Sequence, residues 1–324
     1  MIIPKYLIDG DLVGVTACSC GVLKKIAKYE TSINNFKEYS KFNLIETSNV
    51  RTDGVVSSDR YTRKMELESL YKNNDVRAIT IASGGDFLSD MLNVIDYETI
   101  SKNVKWLCGS SDPTSLLYTV TTNLDIATIY SPCNMSGFNE DDLHESYLNY
   151  FEIIRGNLVK QNKYPFKEGE SFSDELTEVN DWSNLNGHVD EEGILIGGCI
   201  EVLKDIIGTK FDKTKEFLEK YKDYGFIWYF DVFSMTSEGL YNTLLQFKNA
   251  GWFKYTNAVV IGKVCFPNTF TDMKYEDAIK NSLEDVKCIF NFDIGHVKPS
   301  FTMINGMKAR VVSNIEEGYL EFLK

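Results

Sequence analysis

The first half of the chain alternates short, almost wholly apolar runs with amphipathic stretches long enough to be helices. "LVGVTAC" (Leu12 to Cys18), "VRAITIAS" (Val76 to Ser83), "VKWLC" (Val104 to Cys108) and "IATIYSP" (Ile126 to Pro132) each read as a strand buried on both faces. Among them lie "CGVLKKIAKYETSINNFKEY", the charged "RYTRKMELESLYKN" and "PTSLLYTVTTN", all with helical spacing. Strands lacking a polar face need cover on both sides, and the helices between them supply it. The predicted class is α/β, with an N-terminal parallel sheet in a three-layer domain.

From about Ile154 to Gly193 this pattern dissolves into polar and charged residues, which reads as a boundary. A chain of 324 residues is long for one core. The expected division is an α/β domain over 1–160, a connector over 161–192, and a smaller, β-rich mixed domain over 193–324. In that last part "GFIWYFDVFSM", "AVVIGKVCF" and "CIFNFDIGH" read as strands, the third ending at His296. "TSEGLYNTLLQFKNAG" is a helix punctuated by Thr/Ser at its start and Gly251 at its end. "FTMINGMKARVV" carries Asn305-Gly306 between alternating runs, a hairpin signal.

A net charge of −13 argues against nucleic acid or an anionic membrane surface as the main partner. No run approaches the roughly 18 apolar residues of a membrane span. "MIIPKYLIDGDLVGV" lacks the basic start and apolar run of a signal peptide. Seven cysteines, odd in number and mostly far apart, read as reduced and mostly buried thiols, which places the expected protein in the cytoplasm. With three histidines in the chain, Cys18-x-Cys20 is a poor metal set.

Between the third strand and its helix stands "GSSDPT", Gly109 to Thr114. Asp112 as N-cap and Pro113 as first helical residue account for two of these positions. Ser111 is left at the carboxyl end of a parallel strand, where open α/β sheets place ligands, beside the N–H groups of a helix start. It is either a nucleophile or a hydroxyl that satisfies a turn. A nucleophilic serine needs a base and a group to orient that base. His144 sits on an acidic helical surface and reads as solvated; His188 lies in the polar connector. His296, at the end of an apolar strand, is the base candidate by elimination. Asp231 closes the apolar "GFIWYFD", where a carboxylate is costly unless used or paired, though a strand-end cap would also explain it.

At these residues the chain resembles the LD-carboxypeptidase family of serine peptidases, including its microcin C immunity-type members. The resembling segments are "SGGDFLSDMLNVIDYETISKNVKWLCGSSDPTSLL", "DIGHVKPSFTMINGMKARV" and "VRTDGVVSSDRYTRKMELESLYKNNDVRAI". The resemblance implies Ser111, Asp231 and His296 as catalytic residues, in a cleft of two domains, with the N–H groups of Gly85 and Asp112 as oxyanion donors. It also implies a homodimer whose reaction needs no metal or organic cofactor. The implied substrate is a muropeptide ending in a D-amino acid or a microcin-type peptidyl-nucleotide. Three positions depart from the family pattern: Asp231 replaces glutamate, Cys199 replaces the asparagine of a Gly-Gly-Asn-Leu segment, and Ser110 replaces an aromatic residue. A catalytically impaired binding protein is the alternative these departures raise. An α/β-hydrolase esterase would need glycine where Pro113 stands, and a cysteine amidase would need Cys108 to turn out of its strand.

Overall fold

The computed structural model describes residues 1–323. The chain divides into two compact units. One spans Met1–Leu158 and takes back Thr302–Asn305; the other holds Val159–Phe301 and the chain from Gly306 onward.

The first unit runs β1 (Leu12–Thr16), α1 (Ile26–Ser40), β2 (Asn43–Glu46), α2 (Arg60–Lys72), β3 (Val76–Ile81), α3 (Tyr97–Lys102), β4 (Trp106–Gly109), α4 (Thr114–Leu124), β5 (Thr128–Tyr130) and α5 (Glu145–Ile154). These five strands pair in parallel in the order β5-β4-β3-β1-β2. Val13, Val15, Ala78, Ile79, Ile81, Leu107 and Ile129 are all buried, as strands covered on both faces require. Nine consecutive residues of α4, Thr114 to Thr122, are buried although four are threonines. Their hydroxyls are satisfied inside the chain: Thr119 donates to the Ser115 carbonyl (2.5 Å) and Thr122 to that of Tyr118 (2.9 Å). A buried hydroxyl is tolerated only when so bonded.

The second unit contains β6 (Gln161–Asn162), β7 (Phe166–Glu168), β8 (Leu176–Val179), β9 (Ser183–Leu185), β10 (Val189–Cys199), α6 (Ile200–Leu203), α7 (Thr214–Tyr221), β11 (Phe226–Asp231), α8 (Ser237–Asn249), β12 (Thr256–Gly262), α9 (Tyr275–Leu283) and β13 (Cys288–Phe292). After β14 (Met303–Asn305), which belongs to the first unit, come β15 (Lys308–Ser313) and β16 (Gly318–Phe322). An eight-stranded sheet is ordered β6-β16-β15-β10-β11-β12-β13-β9, with β10 to β13 mutually parallel and the flanks antiparallel. Every residue of β11 is buried. Its Trp228 stacks on Trp252, with ring centroids 5.4 Å apart, and Trp252 on Phe247 of α8 at 4.6 Å. Thr236 caps α8 by accepting from the Gly239 N–H at 3.0 Å.

Three sequence expectations are corrected here. Asn305-Gly306 does not turn a hairpin: β14 pairs antiparallel with β5 in the first sheet, while β15 pairs with β10 and β16 in the second. Gly306, at φ +87°, lets the chain pass from one sheet to the other. Within the polar connector, β6 and β9 form the two edges of the eight-stranded sheet, and edge strands tolerate polar residues on their open side. The third strand of the second half stops at Phe292, so His296 sits in the turn beyond it. His144 is not simply solvated; its Nδ1 accepts from the Ser146 N–H at 3.1 Å and caps α5.

Candidate active site

In the first unit, Ser111 lies just past the carboxyl end of β4 and has φ +67°. A non-glycine residue in this left-handed region is costly, and such strain persists where the surroundings over-determine it. Those surroundings are visible. The Ser111 N–H donates to the Tyr130 hydroxyl at 3.0 Å. Asn134 clamps the preceding residue from both sides, accepting from the Ser110 N–H (3.0 Å) and donating to its carbonyl (2.9 Å). A Cβ on Gly84 would lie 3.3 Å from Ser111 Oγ, and one on Gly85 would fall 2.3 Å from Ser19 Oγ. Gly84 is therefore what lets this loop approach the serine turn so closely, and Gly85 what lets it pass against Ser19 and Cys20.

Asp112 does something other than cap α4. The helix is capped at Pro113 without a side-chain bond. The buried carboxylate turns instead to accept from Ser19 Oγ (2.5 Å) and from the Leu88 N–H (3.0 Å), tying the serine turn to the loop after the glycine pair. Burial pushes its pKa up, only partly offset by those bonds. That frees Asp112 of a local capping role and makes it a long-range tie, which no local sequence pattern would reveal. Among the described residues the N–H groups of Gly85 and Asp112, the expected oxyanion donors, enter no hydrogen bond within the chain.

In the second unit, the carboxyl ends of the parallel strands gather the polar groups. Cys199 ends β10 directly beside Asp231, which ends β11. Asp231 has no exposed surface, and its carboxylate receives His296 Nδ1 at 2.8 Å and the His296 backbone N–H at 3.2 Å. With Nδ1–H donating, Nε2 is left as the basic nitrogen. The turn that carries His296 fits because Gly295 has φ +102° and no side chain; a Cβ there would stand 2.0 Å from Asp231 Oδ1. Gly295 is itself held by its N–H to Ser300 Oγ at 2.9 Å. Burial favours the neutral imidazole, but the charge and hydrogen bond of Asp231, with Glu201 behind them, outweigh it and raise the His296 pKa.

Below this turn, Lys263 after β12 and Asp293 after β13 form a buried ion pair. Asp293 also accepts from Asn180 Nδ2 (2.6 Å) and from the Tyr164 N–H (3.1 Å), which satisfies a carboxylate with no exposed surface. The site residues that sequence reasoning missed are those that hold others in place: Ser19, Gly84, Tyr130 and Asn134 in the first unit, and Gly295 in the second. Only the glycines carried a visible signal, as glycine next to a candidate reactive residue. Cys108 is buried in β4, and burial pushes its pKa up to about 12, against the chemistry of a nucleophilic thiolate. No helix is long and apolar enough to cross a membrane among the described residues.

Two family models match the chain: the LD-carboxypeptidase N-terminal domain over residues 13–131 and the LD-carboxypeptidase C-terminal domain over residues 192–311. The chain is 25% identical over 316 residues to the "Probable murein peptide carboxypeptidase" of Bacillus subtilis, covering 94% of this chain and 90% of that one. It is 25% identical over 281 residues to the microcin C7 self-immunity protein MccF of Escherichia coli, covering 81% and 78%. Among solved structures, MccF in its wild-type apo state superposes with a TM-score of 0.85 at 19% identity over 100% of this chain and 99% of that one. An MccF-like protein from Bacillus anthracis gives 0.82 at 22% identity over the whole of both chains. The two structures share this fold. Both domain models match, in order and over most of the sequence: the chain belongs to the LD-carboxypeptidase family.

Proposed function

We propose that this chain is a serine-type amide hydrolase in which Ser111 is the nucleophile, His296 the general base and Asp231 the residue that orients it. The observation that carries the reading is the Asp231–His296 pair. A fully buried carboxylate bonded to Nδ1 leaves Nε2 to take a proton, the arrangement a serine nucleophile requires. Ser111 Oγ attacks the amide carbonyl as His296 accepts its proton. The tetrahedral oxyanion is stabilised by the N–H groups of Gly85 and Asp112. His296 then returns the proton to the departing amine, and water cleaves the resulting ester by the same steps.

The substrate we propose is a muropeptide, cut at the L,D bond before a terminal D-amino acid, or a peptidyl-nucleotide of the microcin C type. Support comes from the murein peptide carboxypeptidase name of one relative and from MccF, which has been solved with aspartyl sulfamoyl adenosine. A cytoplasmic homodimer completes the reading. The rival, a binding protein without activity, gains from the shorter acid at 231. Against it, Asp231 still reaches the imidazole.

The deciding experiment offers the purified chain a tetrapeptide muropeptide and an aminoacyl-adenylate analogue, with products read by mass spectrometry. A fluorophosphonate probe is applied in parallel, and light scattering gives the oligomeric state. Release of the terminal D-amino acid or of the nucleotide part, lost in Ser111→Ala, supports the reading. Absence of both cleavages together with no probe labelling at Ser111 overturns it in favour of the binding protein.

A further inference from the structure

The loop after β11 aims three consecutive backbone N–H groups at a single oxygen. Oε1 of Glu201 accepts from Phe233 (3.0 Å), Ser234 (2.9 Å) and Met235 (3.0 Å). Its Oε2 accepts from Cys199 Sγ at 3.3 Å. Glu201 follows β10 and the loop follows β11, so one carboxylate bridges the ends of neighbouring strands, on the N-terminal side of α8, where a negative charge is favoured. The first residue of that loop touches the base candidate: the Phe233 ring lies 4.6 Å from the His296 ring, at 50°. Phe233 is backed in turn by Phe266 at 5.2 Å.

We propose that Glu201 is a positioning residue for His296: it anchors residues 233–235 and so holds the Phe233 ring against the imidazole. Its catalytic meaning rests on His296 being the general base. The bond from Nδ1 to Asp231 fixes one edge of the imidazole, and an aromatic wall on its flank restricts rotation of the ring about that bond. The Glu201 charge also acts on His296 in the same direction as that of Asp231. The other titratable groups around these two carboxylates are the thiols of Cys199 and Cys265, with Glu168 facing Cys265, and the phenol of Tyr275, which burial above all keeps protonated and whose hydroxyl donates to the Met235 carbonyl at 2.8 Å. Both thiols are held neutral, Cys265 at about 11, by burial above all, so they do not compete for the charge balance.

Two variants separate anchoring from charge. Glu201→Gln keeps an acceptor oxygen and loses the charge, whereas Glu201→Ala loses both. With only three histidines, the imidazole Cε1 signal of His296 is assigned by difference using His188→Gln and His144→Asn. In Glu201→Ala the amides of 233–235 are expected to exchange about tenfold faster or more. The His296 signal should also lose the ring-current shift from Phe233, and its titration midpoint should fall. In Glu201→Gln the ring-current shift should largely remain while the midpoint falls. With substrate, the alanine variant should lower kcat with KM nearly unchanged, and the glutamine variant should move the acid limb of the pH profile down. A His296 signal with unchanged ring-current shift and midpoint in Glu201→Ala overturns the proposal; if that variant does not fold, an unchanged midpoint in Glu201→Gln does so. The imidazole readout needs no turnover. A wild-type chain that cleaves nothing while its His296 responds as expected would defeat the hydrolase reading and leave the positioning intact.

Discussion

Replacing Gly295 by alanine would put a methyl group where Asp231 already is. The new Cβ would stand 2.0 Å from Asp231 Oδ1 and 2.6 Å from its Cγ, so backbone or carboxylate must give way by about 1 Å. Alanine at φ +102° also carries a left-handed strain of roughly 1–2 kcal/mol. Gly187 provides the internal control. It lies in the same unit, has the same φ of +102°, and a Cβ there would meet nothing within 4 Å. Gly187→Ala therefore bears the strain alone. Gly295→Ala bears it and also pushes a fully buried carboxylate off the two N–H groups of His296. Loss of partners for a buried charge costs about 3–5 kcal/mol, and partial relaxation of the turn reduces this. The expected excess of Gly295→Ala over Gly187→Ala is roughly 2–4 kcal/mol. Urea unfolding followed by tryptophan fluorescence reads it, since Trp228 of β11 and Trp252 stacked on it are both buried. Amide-hydrolase turnover should fall by orders of magnitude in Gly295→Ala and stay near wild type in Gly187→Ala. Equal unfolding midpoints for the two variants would refute the reasoning, because the clash with Asp231 would then have no energetic consequence.

Ser111→Gly should abolish turnover yet leave stability unchanged or raised by up to about 1 kcal/mol, since glycine relieves the φ of +67°; a clear loss of stability by thermal unfolding would count against strain at this turn. Ser111→Ala should be equally inactive without that relief, and Ser110→Ala should keep most activity in the same assay. The raised pKa of His296 means that the folded state binds its proton more tightly than the unfolded one, whose value is near 6.5. The stabilisation is therefore complete below about pH 6.5 and is lost as pH rises through the folded pKa; urea midpoints from pH 6 to 9 should show this fall in the wild type and not in Asp231→Asn. Lys263→Met should destabilise the second unit by about 3–5 kcal/mol by stranding Asp293, and adding Asp293→Asn should recover part of that loss, as a double-mutant cycle would show.

What the sequence determined alone was what depends on near neighbours and on burial. Unbroken apolar runs spaced by amphipathic stretches specify parallel strands with helices on both faces, and β1, β3, β4 and β5 lie where those runs are. Thr236 and Gly251 mark the limits of α8 for the same local reason, as does the apolar run of β11 that ends on Asp231. Ser111 and His296 could be singled out as candidates because "GSSDPT" and "DIGH" are short contiguous motifs. Tertiary structure decided everything that joins distant residues. Asp231 meets His296 across 65 positions and Ser19 meets Asp112 across 93, pairings set by strand register and loop path rather than by periodicity. The same holds for Asn305-Gly306, whose local signal is that of a hairpin. There the open edge of β5 takes β14 while β10 takes β15, because the unpaired hydrogen-bonding groups of two separate sheet edges outweigh one turn's preference.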